Sequence, residues 1–230
     1  MNTRGLLDQL LRSGQELLQK QGGNLAGRPG GGTSGTGGLG GMLSGAGGGA
    51  LAGSALALLL GSKEARKMGG KALTYGSLAA LGMLAYKAYN NWQAQQGGAQ
   101  QREPQTLDRL PEAQAEAHSQ AILRALVAAA KADGHVDERE RALIEGEFAR
   151  LDNDPELQRW LHAELNKPLD PADVARAATT PEMASEMYLA SLMMVDEEHF
   201  MERAYLDELA KRLKLEQGLK EELERQVRQG

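Results

Sequence analysis

Cysteine is absent from the 230 residues. That excludes disulfides, thiolate nucleophiles and cysteine-ligated zinc. Aromatic side chains make up only 4% of the chain, and no stretch alternates apolar and polar residues as a half-buried strand would. A basic stripe with interleaved aromatics is also missing, and the net charge of −5 argues against nucleic acid as a partner. No Gly-Lys-Ser/Thr follows any of the glycine runs, and no strand precedes them, so none is a phosphate loop. His118, His135, His162 and His199 are scattered, with no His-x-x-x-His or Glu-x-x-His pair. They are expected to be solvated or capping, with His135 and His199 closest to acidic turns. No serine–histidine–carboxylate arrangement can be argued from spacing. The expectation is a non-enzymatic protein with no resident cofactor.

What remains is helix-forming. Ala, Leu, Glu, Gln, Arg and Met dominate, which predicts an all-α fold. The residues are unevenly spread. Most of the 29 glycines crowd into residues 22–98, and nearly all the acidic residues lie beyond residue 100. Five segments follow.

Residues 1–21 read as an amphipathic helix over 3–21. Leu6, Leu7, Leu10, Leu11, Leu17 and Leu18 share a face, with Asp8, Arg12, Glu16 and Lys20 opposite. Such a helix lies on a membrane surface or docks onto a partner helix. Residues 22–41 are a flexible linker with too little apolar surface to order.

Residues 42–90 form a glycine-rich hydrophobic segment. No charge stands between Arg28 and Lys63, and 42–60 approaches the length that crosses a bilayer as a helix. Gly41, Gly45, Gly49 and Gly53 recur every fourth position, which puts them on one face where a second backbone can approach closely. A second uncharged run covers 72–86, flanked by Tyr75, Tyr86, Tyr89, Trp92, Lys71 and Lys87, a pattern that suits interfacial anchoring. The segment reads as a helical hairpin in or on the membrane; a soluble glycine-zipper assembly, or disordered low-complexity sequence with one buried helix, is the alternative. Lys63, Arg66, Lys67 and Lys71 favour a cytoplasmic connector. A single span at 42–60 then places the C-terminal domain in the cytoplasm. Residues 91–111, with Gln, Gly-Gly and two prolines, read as a linker.

Residues 112–230 punctuate about seven helices. Asp154-Pro155, Asp170-Pro171 and Thr180-Pro181 each read as an N-cap followed by proline at the first helical position. Asp137 with Glu140 reads as a capping box. Leu157, Trp160, Leu161 and Leu165 are expected inward. So are Ala204, Leu206, Leu209, Ala210 and Leu213, and Leu219, Leu223 and Val227. Met183, Met187, Met193, Met194 and Met201 make a methionine stripe, read as core in preference to a binding surface. Ala132-Asp133-Gly134 with Glu140-Arg141-Ala142 echoes Val195-Asp196 with Glu202-Arg203-Ala204, which suggests two repeated helical hairpins, each with an acidic turn.

The segment Ala129-Ala130-Lys131-Ala132-Asp133-Gly134-His135-Val136-Asp137-Glu138-Arg139-Glu140 resembles the signature of TerB-like (tellurite-resistance-associated) helical domains. Val195-Asp196 and Glu202 to Ala210 extend the likeness. A glycine-rich hydrophobic half before such a domain is similar to the DUF533 group of bacterial inner-membrane proteins. The resemblance implies an all-helical bundle, inner-membrane association, a link to stress systems and possible metal binding at Asp133, Glu140, Asp196 and Glu202.

Read from the residues, Asp133, Asp137, Glu140, Asp196 and Glu202 can supply the oxygen ligands that a hard divalent cation needs. Capping and ion pairing are the plainer reading. The segment is not an EF-hand, because glycine directly follows Asp133 and the ligand spacing is wrong. Two expectations follow. One is a membrane-anchored interaction or stress-response module, with a protein partner or a second copy. The other is a soluble or peripheral metal-binding stress protein that self-assembles through its glycine-rich half.

Overall fold

The computed structural model describes residues 3–9, 78–95, 104–132, 138–151, 154–195 and 199–229. Among these residues every regular element is helical. Residues 3–9 form α1. Then come α2 (Leu78–Gln95), a 3₁₀ turn (Leu107–Arg109), α3 (Glu112–Ala129), α4 (Glu138–Leu151), α5 (Pro155–Asn166), α6 (Pro171–Ala175), α7 (Pro181–Leu192), α8 (Phe200–Arg212) and α9 (Gln217–Gln229). The seven helices from α3 onward match the expected number.

The proline-led starts behave as their chemistry dictates. The Asp154 carboxylate accepts from the N–H groups of Glu156 at 2.8 Å and Leu157 at 3.4 Å. The bond from Glu156 above all holds its carboxyl below the usual range. Asp170 accepts from Ala172 N–H at 2.8 Å, and the Thr180 hydroxyl accepts from Met183 N–H at 3.1 Å. Each cap satisfies N–H groups that a helix start leaves without an internal partner.

α8 ends differently. Lys214 takes φ 56°, and Leu215 N–H donates to Ala210 C=O at 3.1 Å, six-residue closure of the Schellman kind. A lysine in this left-handed conformation carries steric strain that glycine lacks. Lys214→Gly is therefore expected to stabilise the fold by roughly 0.5–1 kcal/mol, read as a higher urea midpoint at unchanged slope.

α7 is the hub. All its residues from Met183 to Leu192 are buried, as a helix enclosed on every side requires. It packs against α3, α2, α9 and α8. α3 and α7 form the most extensive pair, and they run parallel. His118 faces Glu186 near their middles, and Ser191 reaches Ala125 C=O at 3.3 Å near their ends. Two parallel helices of this register release their following turns at the same end of the bundle. Those turns begin at Ala130 and Met193, and both Ala132 and Val195 still belong to the core.

The N-terminal half contributes more to the bundle than its composition suggests. α2 buries Leu81, Leu84, Ala85 and Ala88, one helical stripe, against α7 and α9. It also runs to Gln95, past the expected start of the linker at 91. Tyr86, Tyr89 and Trp92, expected as interfacial anchors, meet protein instead. The Arg109 guanidinium lies 4.0 Å from the Tyr86 ring centre, and Tyr89 and Trp92 pack edge to face at 5.3 Å. Two glycines permit the docking. A Cβ at Gly82 would come 2.6 Å from Asp108 Oδ1, and one at Gly218 would sit 3.3 Å from the Trp92 ring. Among the described residues no helix is long and apolar enough to cross a membrane, so the expected transmembrane helix is not found in α2. The run at 42–60 and Gly41, Gly45, Gly49 and Gly53 lie outside the described residues.

In α8 the inward stripe is Glu202, Tyr205, Leu206, Leu209 and Ala210. Ala204, expected inward, is exposed. The methionine stripe divides: Met183 and Met187 are core, Met193 and Met194 half-buried, and Met201 faces solvent.

Candidate functional site

Of the acidic residues proposed for a cation, Asp133, Asp137 and Asp196 and the side chain of Glu140 lie outside the described residues. Glu202 is described. It is buried in the first turn of α8, with His199 Nδ1 at 3.7 Å. Among the described residues no three His, Asp or Glu side chains are grouped to hold a metal ion. What the fold does provide is a frame: the parallel α3–α7 pair brings Ala132 and Val195, the last described residues before each acidic stretch, to one end.

At the C-terminal end of α3 lies a shallow charged cleft, lined by Val127, Lys131, Glu164, Lys167, Leu169 and Asp173 among others. It encloses about 10 Å³, room for roughly one water. Lys131 leaves the end of α3 and crosses to the end of α5, where its ammonium donates to the carbonyls of Glu164, at 3.2 Å, and Lys167. Carbonyls at a helix C-terminus have no partners of their own, so a cation there is favoured. Burial pushes the Lys131 ammonium below its ordinary value; Glu164 pulls it back, while Arg141 and Lys167 add to the depression. The buried Glu164 carboxylate is held by Lys167 Nζ at 2.9 Å and Arg124 Nε at 3.2 Å. The cleft is thus internally neutralised, and its cations are engaged with protein oxygens.

A second polar centre was not legible in sequence. Glu186 lies on α7 between Met183 and Met187, wholly buried. Its Oε1 accepts from Leu107 N–H at 2.7 Å. Its Oε2 stands 3.2 Å from His118 Nδ1 on α3, an ion-pair distance without good hydrogen-bond alignment. Burial pushes the Glu186 carboxyl above its ordinary range; His118 and the Leu107 N–H oppose this, and Asp108 adds to it. His118, expected to be solvated or capping, is instead buried and paired. The pair fixes the 3₁₀ turn, on which α2 rests, to the two central helices.

α2 is tied at its other end by Glu222 of α9. Asn91 Nδ2 donates to Glu222 Oε1 at 2.8 Å, Gln226 Nε2 donates to it at 2.7 Å, and the Arg225 guanidinium pairs with Oε2. Burial alone would raise this carboxyl, but the three donors outweigh it and hold it below the usual range. A depressed native value contributes stability above the ordinary carboxylate range, and that contribution is lost as the pH falls through the native value. Glu222→Gln is expected to cost about 1–3 kcal/mol at neutral pH and progressively less toward about pH 3, measured by thermal unfolding across that range. A cost independent of pH would contradict the assigned network.

Among the described residues, large apolar side chains are exposed at two places. Phe200 (79% exposed) and Met201 (53%) open α8 beside the second acidic turn, and Met83 projects from α2.

Residues 45–227, about four-fifths of the chain, match a family model described as "Protein of unknown function (DUF533)". A relative from Yersinia enterocolitica, described as "Uncharacterized protein in ampR 5'region", is 36% identical over 110 residues, covering 48% of this chain and 79% of its own. No solved structure gives a significant match.

Proposed function

We infer a role for this chain from its own residues, because it belongs to the DUF533 family, whose function is unknown. The proposed role is that of a non-enzymatic, membrane-tethered module of the bacterial inner membrane. The uncharged segment 42–60 is the tether, and the TerB-like bundle works in the cytoplasm, where a stress-linked system is the expected setting. Its working end is the one from which the two acidic turns emerge. There Asp133, Asp137, Glu140, Asp196 and Glu202 bind a divalent cation, and the neighbouring Phe200 and Met201 meet a protein partner.

The observation that carries this reading is the parallel register of α3 and α7. It supports the reading because Ala132 and Val195, the last described residues before the two acidic stretches, follow these helices at the same end, as a shared cation site requires. The five carboxylates suit a hard cation such as Ca²⁺ or Mg²⁺, while His135 and His199 beside them make Zn²⁺ the competitor to test. The tether rests on the absence of charge between Arg28 and Lys63.

Calorimetric titration of the full chain with Ca²⁺, Mg²⁺ and Zn²⁺ tests the site. Heat of binding that disappears in the Asp133→Asn/Asp196→Asn double variant is the expected result. No heat and no shift in melting temperature with any of the three would end the cation reading. For the tether, the protein should stay with membranes through a carbonate wash.

A second reading is favoured by one observation: α1 and α2, both from the apolar N-terminal half, bury their leucines in protein. On that reading the chain is peripheral, self-assembles through Gly41, Gly45, Gly49 and Gly53, and leaves the membrane fraction in carbonate.

A further inference from the structure

α1 occupies a seat on the bundle. Thr3, Leu6 and Leu7, spaced three and four apart on one helical face, are fully buried, and both leucines belong to the same core cluster as Leu81, Ile122 and Leu189. The Glu116 carboxylate of α3 accepts from Thr3 N–H at 2.6 Å and from Arg4 N–H at 3.2 Å. It thereby satisfies two of the N–H groups that a helix start leaves open. A helix of this length does not persist alone in water, so its form depends on the seat.

Residues 3–9 and the described residues from Leu78 onward therefore belong to one folded body. Any segment that departs from and returns to one body on one side of a membrane crosses that membrane an even number of times. A single crossing by 42–60 would put α1 and the bundle in different compartments. It would pull Leu6 and Leu7 out of the core and leave Glu116 without the N–H groups it accepts from. A compensating second crossing by 72–86 is closed off, because Leu81, Leu84 and Ala85 are buried against protein.

We propose that α1 and the C-terminal bundle face the same compartment, and that the uncharged segment attaches to the membrane from that one side without a single crossing. This rests on the tether reading above and revises its topology. α1 is the occupant of the groove beside Glu116, supplied by the same chain.

The absence of cysteine makes the test direct. Arg4 and Gln229 are both exposed, so Arg4→Cys and Gln229→Cys leave the fold intact. Each single variant of the full chain is labelled with a membrane-impermeant maleimide in right-side-out and inside-out vesicles. Both cysteines should react in the same vesicle type and be protected in the other. A double variant, Arg4→Cys with Ala113→Cys one turn before Glu116, should cross-link within one chain through a short bismaleimide. Adding Leu6→Glu and Leu7→Glu should abolish that cross-link. Retention through carbonate with Arg4 and Gln229 labelled from opposite faces overturns this inference alone. Complete extraction by carbonate overturns the tether reading, and this inference falls with it. An Arg4–Ala113 cross-link that survives both leucine substitutions would overturn the assigned seat.

Discussion

Glu186→Ala is expected to lower the free energy of unfolding by about 3–5 kcal/mol, the combined cost of an unmet buried N–H, a buried imidazole left without its neighbour and an unfilled cavity. Three things are lost together. Leu107 N–H loses its 2.7 Å acceptor, His118 loses the carboxylate 3.2 Å away, and the hub helix gains a void where a wholly buried side chain stood. Each deficit is enclosed, so water cannot repair it. In a chain of this size the melting temperature should fall by roughly 6–20 °C. Because the Leu107 bond holds the 3₁₀ turn under α2, proteolysis should also open the 78–95 region at temperatures where wild type resists. Glu186→Gln separates the causes. The amide still accepts from Leu107 but carries no charge, and about 1–2 kcal/mol should be lost.

The pH dependence of that milder variant is a sharper check. Burial raises the native Glu186 value above the ordinary 4.5. A carboxyl shifted this way contributes its full stability below the ordinary value and loses it as the pH climbs through the raised one. Glutamine has no such loss. The cost of Glu186→Gln should therefore be largest near pH 4.5 and smaller at neutral pH, opposite in slope to Glu222→Gln. If the two variants share one slope, the assignment of opposite shifts is wrong.

Leu189→Ala is expected to be comparably severe, about 2–5 kcal/mol, from lost apolar transfer and an unfilled cavity. Leu189 is wholly buried on α7, the helix that touches four others, so the surroundings have little freedom to collapse into the gap. Phe200→Ala is the control. Phenylalanine is the larger side chain, yet it is 79% exposed and should change stability by no more than about 0.5 kcal/mol. Denaturant midpoints on the full chain compare the two. A larger loss at Phe200 than at Leu189 would mean that the hub is misassigned. It would also bear on function, because we propose that Phe200 meets a partner. Its replacement should weaken capture of that partner while leaving the melt unchanged.

Local chemistry was readable in sequence where one residue type solves one backbone problem. Asp154, Asp170 and Thr180, each followed by proline, cap their helices as expected, and Leu157, Leu161 and Leu165 fall on the buried face. Long-range chemistry was not. His118 and Glu186 stand 68 positions apart, and only the parallel pairing of α3 with α7 makes them neighbours. One signal was present: Glu186 is the only charge between Met183 and Leu192, a stretch otherwise of apolar and small side chains, which calls for a buried partner. In α8 the phase was misread at Ala204 because Glu202, a charged residue, holds a place on the inward stripe. α2 was ambiguous for a deeper reason. A stripe of leucine and alanine looks alike whether lipid or protein will cover it, and only the partner helix decides. The acidic turns themselves remain where sequence reading left them, as a proposal resting on the frame that surrounds them.

The seat of α2 has a consequence for the order of assembly. Its most extensive contacts are with α9, and Asn91 bonds Glu222 across 131 positions. On the ribosome, α2 emerges long before the final helix exists, and contacts of such wide separation close late. Throughout translation, then, Leu81, Leu84 and Ala88 present a bare greasy flank immediately after the uncharged glycine run. Until the last helix forms, that flank is open to whatever apolar surface comes first, so α2 is the element most exposed to misassembly during synthesis and is covered only at termination.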